Sequence, residues 1–331
     1  MGSRPSSTAT APPPAAGVRC SWWDVPRGVR DQVEAGLGSP VEGAVTQAGG
    51  FSPGVAARVR LADGRRFFVK AVGPEPNPDA PGLHRAEARI TAALPAAAPV
   101  PELFLSLDVA GWVVLVLEDV DGRTPAQPWR PDELARVLSA AEALSALLDP
   151  SPLPVPTLEQ ACDGQFRGFR ALAGAAGAEG ADLGARLDPW VRRRLERLAD
   201  REAGWAAAAA GTALVHGDLR ADNILLTAGR VVFVDWPWAA IGASWFDVVA
   251  MGPSVVMQSQ DPEAAVARLD RHLAGRGAVP EDVTTVLVAV AGYLLHACLQ
   301  APPPGLPTLR AFQRAQGEAA LRWLRRRPGR W

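Results

Sequence analysis

The chain is short of lysine and asparagine. Of its 34 basic residues Lys70 alone is lysine, and asparagine occurs only at Asn77 and Asn223. A coding bias that replaces both wherever a substitute serves accounts for the shortage. A lysine that survives such pressure is expected to do something arginine cannot. Cysteine is scarce too: Cys20, Cys162 and Cys298 are far apart, odd in number and form no CxxC. That excludes a disulfide framework, suits a reducing cytosol and predicts a cytoplasmic protein. The net charge of -1 gives no electrostatic case for nucleic acid or an anionic membrane, and neither is expected as a partner. No apolar run is long enough to read as a membrane span. Val283–Leu299 comes nearest, and Thr284, Thr285, Gly292 and His296 interrupt it, which favours a core helix. Residues 1–17 are Pro, Ala, Ser and Thr without an apolar region, so they predict a disordered tail and no secretory signal. There is no internal repeat.

What is present is an ordinary globular composition, 48% hydrophobic and 21% charged, over 331 residues. That length suffices for two lobes with real cores. Leu214–Asp235, LVHGDLRADNILLTAGRVVFVD, carries most of the chemistry. Val215 runs into a loop over His216–Asn223. Ile224, Leu225 and Leu226 form a short strand, Ala228-Gly229-Arg230 turns, and Val231–Val234 returns to Asp235. Asp218, Asn223 and Asp235 are thereby brought close together. Phosphoryl transfer needs a base or orienter for the acceptor hydroxyl, and oxygen ligands for the metal on the phosphates. Asp218 suits the first task; Asn223 and Asp235 suit the second, because Mg²⁺ prefers hard oxygen ligands. Asp, then Asn five residues on, then Asp after a hairpin is the order of the catalytic and metal-binding residues of protein kinases.

The stretch before it reads as a small lobe. Trp22–Leu37 has helical spacing. Strands are predicted over Val41–Gln47, Val55–Leu61 and Arg66–Val72, then over Glu102–Asp108 and Trp112–Leu117. The bend Ala48–Gly54 is glycine-rich, and glycine lets backbone approach phosphates closely. Gly49, Gly50 and Ser52 are its candidate phosphate contacts. It is not a Walker A loop, since no Gly-Lys-Ser/Thr opens a helix here. Lys70 lies on the third strand, where a kinase-like site wants a lysine for the α/β-phosphates. Glu87 is the only acid on the predicted helix Gly82–Leu94 and is the natural partner of Lys70. The remainder predicts helices over Pro131–Leu148, Leu158–Leu172, Pro189–Ala210, Ser244–Met257 (with Ser244 as cap), Pro262–Leu273, Glu281–Leu299 and Pro307–Arg327.

With His216-Gly217-Asp218 in place of His-Arg-Asp, the chain resembles the aminoglycoside phosphotransferase family, from about Val41 to the C-terminus. That family includes antibiotic, choline and other small-molecule kinases. The resemblance implies an α+β, protein-kinase-like two-lobed fold: a small five-stranded antiparallel sheet lobe and a larger, mainly helical lobe. It divides the chain into a tail (1–17), a nucleotide-binding lobe (18–117), a hinge (118–122) and a helical lobe with catalytic loop and acceptor site (123–331). It makes Asp218 the catalytic base or orienter and Asn223 and Asp235 the Mg²⁺ ligands. Lys70 and Glu87 serve the phosphates, and the hinge backbone at Glu118 and Val120 holds a purine edge of ATP or GTP. His216 and Asp247 brace the catalytic loop. Arg220 departs from the family, whose members often have His there. No Ala-Pro-Glu motif follows Asp235, which disfavours a protein kinase. The expected activity is transfer of the γ-phosphoryl group to a hydroxyl of an antibiotic, sugar or amino alcohol. The alternative is a nucleotide-binding regulatory protein without transfer activity. Ser244–Trp331 carries 7 acidic residues against 10 arginines, which tilts against a highly cationic aminoglycoside.

Overall fold

The computed structural model describes residues 17–51, 53–75, 77–178 and 187–327. The tail expected over 1–17 lies, but for Gly17, outside the described residues, and so does Ser52. Five strands form one antiparallel sheet: β1 (Val41–Thr46), β2 (Val55–Leu61), β3 (Arg66–Val72), β4 (Leu103–Val109) and β5 (Trp112–Glu118), in the order β1-β2-β3-β5-β4. β5 reads as a nearly continuous apolar run because both faces of the sheet are covered. On one face a 3₁₀ turn (Trp22–Asp24) and helix α1 (Arg27–Leu37) pack Trp22, Val29 and Val33 against Val59, Val69 and Val116. On the other, helix α2 (Ala80–Ala93) sets Ala88 against Val113, Leu115 and Leu117. Full burial of a valine or leucine side chain stabilises by about 1.5–3 kcal/mol, so β3 and β5 are locked in register. That fixes Lys70 between Ala56 of β2 and Leu115 of β5.

The lobes join through a short, braced segment. Asp119 is buried and ion-paired to Arg58 (3.3 Å) and Arg66 (2.7 Å), and Arg58 also donates to the Val120 carbonyl at 3.2 Å. Arg123 then forms two backbone hydrogen bonds with Leu226, at 3.1 and 2.7 Å. The chain leaving the small lobe is thus stitched directly to the hairpin over residues 224–233.

The second lobe contains helices α3 (Pro131–Leu147), α4 (Leu158–Cys162), α5 (Gly168–Ala178), α6 (Pro189–Arg192), α7 (Leu195–Glu202) and α8 (Trp205–Ala208). Four short strands follow: β6 (Ala213–Val215), β7 (Ile224–Leu226), β8 (Val231–Phe233) and β9 (Ala240–Gly242). The chain ends with α9 (Phe246–Met257), α10 (Pro262–Gly275), α11 (Pro280–Ala297) and α12 (Leu309–Leu324). β6 pairs with β9 and β7 with β8. α11 is the central helix and packs against α5, α7, α8, α9 and α12. No helix among the described residues is long and apolar enough to cross a membrane.

Three expectations are corrected. Pro189–Ala210 is not one helix but three short ones. Glu202 ends α7 fully buried and accepts the backbone N–H groups of Phe169 and Arg170, both at 2.9 Å, so it caps α5 instead of extending its own helix. Leu158–Leu172 is broken between Cys162 and Gly168. A β-carbon on Gly168 would lie 2.0 Å from the Gly292 carbonyl oxygen, so α5 begins at a point of backbone contact with α11. Ser244 does not cap α9, which starts after Trp245 without a side-chain cap; the Ser244 carbonyl instead accepts from the Ser145 hydroxyl at 2.8 Å. The strand β9 follows the apolar turn Trp236–Ala239 and was not expected.

Gly168→Ala is therefore expected to destabilise the fold by about 1–3 kcal/mol, the range for overpacking. Gly174→Ala, on the same helix with open space around it, is expected to stabilise it by about 0.5–1 kcal/mol. Urea unfolding of the two variants against the wild type measures both.

Candidate active site

The cleft between the lobes collects charged side chains from four elements. Lys70 of β3 places its Nζ 2.6 Å from Glu87 Oε1 on α2 and 2.8 Å from Asp235 Oδ1, at the end of the β7–β8 hairpin. Burial alone would lower the Lys70 pKa, but the two carboxylates more than reverse that and hold the ammonium charged. Burial likewise pushes Asp235 up, yet Lys70 dominates and keeps it ionised, at about 2. Glu87 is nearly inaccessible, and its burial pushes it up to about 7 against the pull of Lys70. Asp235 also holds φ at 71°, a left-handed backbone that non-glycine residues rarely adopt.

Asp218 sits across the cleft. Burial raises it to about 7; Arg220 opposes the rise, and the negative charges of Asp222 and Asp235 reinforce it. Arg220 lies between two carboxylates, with Nη1 2.5 Å from Asp218 and Nε 3.1 Å from Asp222. Asn223 donates its Nδ2 to the Asp218 carbonyl at 2.8 Å, which leaves its Oδ1 as a hard oxygen donor. With the Asp235 carboxylate, that donor set fits Mg²⁺, which takes few protein ligands and completes its shell with phosphate and water oxygens. The described residues contain no cluster of three or more His, Cys, Asp or Glu suited to holding a metal.

The loop itself is fixed from behind. Asp247 on α9 accepts the N–H groups of His216 (2.7 Å) and Gly217 (3.0 Å). His216 is fully buried. Its Nδ1 accepts the Asp218 N–H at 3.3 Å, so its Nε2 carries the proton and donates to the Val234 carbonyl at 2.9 Å. Trp236 packs on its ring at a centroid distance of 4.6 Å. Gly217 has φ +81°, and a β-carbon there would lie 2.3 Å from the Trp238 carbonyl oxygen. The turn that presents Asp218 therefore requires glycine.

Above the cleft, Gly49 and Gly50 both have positive φ, 98° and 75°. The adjoining Phe51 reaches down to the helical lobe, where its ring meets Phe312 edge-on at 5.1 Å and lies 5.5 Å from the Arg220 guanidinium. At the hinge, the Glu118 N–H is taken by the Glu102 carbonyl (2.8 Å), and the Val120 carbonyl by Gly122 N (2.9 Å) and Arg58. The Val120 N–H has no acceptor among the described residues. A cavity of about 300 Å³ is lined by Glu87, Asp218, Arg220, Asp235, Phe51 and Trp238 among others, but does not reach Glu118 or Val120. Of the expected site residues, Glu87, Asp218 and Asp235 line this cavity, whereas Glu118 and Val120 do not.

The sequence reading passed over two cations. Arg220 was noted only as a departure; its spacing from Asp218 and Asp222, two residues on each side, was the available signal. Arg19 had no signal at all. It lies before the sheet, hydrogen-bonds the Gly49 carbonyl, and its neighbour Cys20 donates to Gly54 O at 3.2 Å.

A family model described as "Phosphotransferase enzyme family" matches residues 48–282. Among solved structures, a thermostable mutant of the aminoglycoside phosphotransferase APH(4)-Ia, in ternary complex with ADP and hygromycin B, is similar over 92% of this chain and 100% of its own. Its TM-score is 0.59 at 16% identity. A protein described as a fructosamine-3-kinase, from Thermobifida fusca YX-ER1, covers 89% of this chain and 98% of its own, with a TM-score of 0.55 at 23% identity. An ethanolamine kinase of Plasmodium vivax covers 81% and 78%, with a TM-score of 0.50 at 12% identity. No curated protein matches the sequence. These likenesses establish the fold: the five-stranded antiparallel sheet and helical lobe of protein-kinase-like phosphotransferases.

The raised pKa of Asp218 has a consequence for stability. A carboxyl whose folded pKa exceeds its unfolded value stabilises the fold while protonated, and that contribution is lost as pH rises from about 4 towards the folded value of about 7. Asp218→Asn removes the titration. The melting temperature of the nucleotide-free variant, relative to wild type, is expected to climb between pH 5 and pH 7 and then level off. A difference that stays constant with pH would contradict the raised value.

Proposed function

The chain belongs to the phosphotransferase enzyme family, a family of small-molecule kinases, and we propose on that premise that it moves the γ-phosphoryl group of Mg-ATP or Mg-GTP to a hydroxyl of a small acceptor. The observation that supports this most directly is the arrangement of Asp218, Asn223, Asp235, Lys70 and Glu87 around one cleft. In this reading the acceptor oxygen attacks the γ-phosphorus, the bond from that phosphorus to the β–γ bridging oxygen breaks, and the acceptor proton passes to Asp218. A carboxylate poised near pH 7 is well matched to that task. Asn223 Oδ1 and the Asp235 carboxylate would hold Mg²⁺, which supplies charge neutralisation on the phosphates when bound. Lys70 is held by Glu87 in position to turn from Asp235 to the α/β-phosphates. Arg220 keeps a permanent positive charge beside the reacting groups, where negative charge develops. The Val120 N–H is the donor the hinge offers a purine edge, and Gly49 and Gly50 allow the bend to approach the phosphates. Ser52 is proposed with them on its place in the bend. Asp247 and His216 serve the site as positioning residues through the loop backbone.

Mass-spectrometric detection of phosphorylated product with Mg-ATP and Mg-GTP tests the reading. Asp218→Asn is expected to lower kcat by about 10²–10⁴-fold while Mg-nucleotide binding is retained. In the wild type, kcat/KM should rise as pH passes through about 7, since Asp218 must be ionised to accept a proton. Lys70→Ala should weaken nucleotide binding by about tenfold or more. Unchanged affinity in that variant, or full activity in Asp218→Asn, would contradict these assignments.

A further inference from the structure

Much of the cavity wall is apolar. Phe166, Phe246, Val290, Leu306 and Phe312 line it and are buried, and Trp238 stands at its mouth, 42% exposed. The ionisable groups that reach it are few, and each carboxylate already faces a cation: Glu87 and Asp235 face Lys70, and Asp218 faces Arg220. His84 also lines it, but burial lowers its pKa to about 4, so it is neutral. No further acid is present among the described lining residues to receive an ammonium group.

Uncharged polar side chains complete the wall, among them Asn77, Gln165, Tyr293, Gln313 and Gln316. Tyr293 Oη accepts from Gln313 Nε2 at 3.2 Å, so the phenol proton is available to a ligand, and Arg310 holds Gln313 at 2.8 Å. Gln316, one turn further along α12, is only 7% exposed, yet its amide has no hydrogen-bond partner among the described residues. The amide atoms themselves are not sealed from solvent; they open onto the cavity, where an occupant can bond them. The whole cavity, Glu87, Asp218 and Asp235 included, measures about 300 Å³, at the low end of small-molecule sites.

We propose that the acceptor is an uncharged, ring-bearing alcohol whose apolar face lies on Phe166, Phe246 and Phe312 and whose second polar group is bound by Gln316 and Tyr293. The inference rests on the phosphotransferase reading of the same cleft. A cationic amine here would lose its hydration without gaining a free carboxylate. A carboxylate would be placed beside Asp218 and Asp235. Either loss is unfavourable in a desolvated pocket.

A matched series separates these cases: trans-1,2-cyclohexanediol, protonated trans-2-aminocyclohexanol and trans-2-hydroxycyclohexanecarboxylate. They share a ring and a reacting hydroxyl and differ in one substituent. Affinities are measured by saturation-transfer NMR on the full chain at neutral pH with Mg-AMP-PNP bound, and Mg-AMP-PNP affinity is measured in the same samples. The diol is expected to bind at least about tenfold more tightly than either charged compound. Gln316→Ala should weaken the diol about three- to tenfold and leave Mg-AMP-PNP unaffected. Gln316→Glu should shift the preference towards the ammonium compound by about tenfold, which a merely structural glutamine would not do. Equal or tighter binding of a charged compound by the wild type, or binding of none of the three while Mg-AMP-PNP binds, overturns the inference and leaves phosphoryl transfer intact. Failure of Mg-AMP-PNP itself to bind overturns the phosphotransferase reading and this inference with it.

Discussion

One ammonium group between two carboxylates sets the geometry of the cleft. Lys70 touches Glu87 and Asp235, and these come from a small-lobe helix and a large-lobe hairpin. Buried charges are tolerated only when paired, so each of the three depends on the other two. A compact ammonium with rotatable donors can bridge carboxylates that approach from different directions. A planar guanidinium also bridges two carboxylates, as Arg220 does between Asp218 and Asp222, but only along the fixed directions of its plane. The single lysine of the chain stands where a compact, freely rotating donor group is used. The same triad ties the lobes together across the cleft. In the proposed reaction, phosphates taking over Lys70 would free the Asp235 carboxylate, which together with Asn223 would hold Mg²⁺. Binding would then exchange partners and create no new buried charge.

The catalytic loop depends on a second, quieter constraint. Asp218 is useful only if its backbone is held, and the fixing bonds come from Asp247 behind the loop and from the loop's own His216 and Asn223. Asp247 takes two N–H groups, His216 a third, and Asn223 binds the Asp218 carbonyl. Gly217 is needed because the Trp238 carbonyl occupies the place of a side chain. The carboxylate itself makes no bond to this frame. Its contact is Arg220, a side chain that can give way to an acceptor hydroxyl. A rigid backbone with an exchangeable side-chain partner is what a base in phosphoryl transfer needs.

Sequence carried the local features and missed the distant ones. β2 and β3 were legible to the residue because their apolar alternation is local and the Ala62–Arg65 turn is explicit. The Asp218–Asp235 hairpin was legible because its strands are adjacent in the chain. Glu87 could be paired with Lys70 because no other acid lies on its helix. Pro189–Ala210 failed for the opposite reason. Its composition favours one long helix, but Glu202 is needed at the start of α5, which lies more than thirty residues earlier, and that tertiary demand outweighs propensity. β9 has three residues, and its partner is β6, so no window of neighbouring sequence contains the pair. Arg19 lies outside the stretch covered by the family model, and only the fold brings it to the glycine-rich bend.

Acceptor chemistry was the least legible property, and the reason is geometric. Counting charges over Ser244–Trp331 samples one segment, whereas the cavity draws on α2, the glycine-rich bend, α4, the α4–α5 connection, the catalytic loop, α11 and α12. The arginines that dominate that count largely face elsewhere: Arg322, Arg325, Arg326 and Arg327 pair with Glu263, Asp188 and Asp270 on the outer side of the lobe. What remains around the cavity is apolar surface, a few amides and a phenol. The proposal of an uncharged acceptor therefore rests on different grounds from the ones the sequence offered. Its ground is that each carboxylate among the described lining residues already faces a cation, not an excess of arginine in the segment.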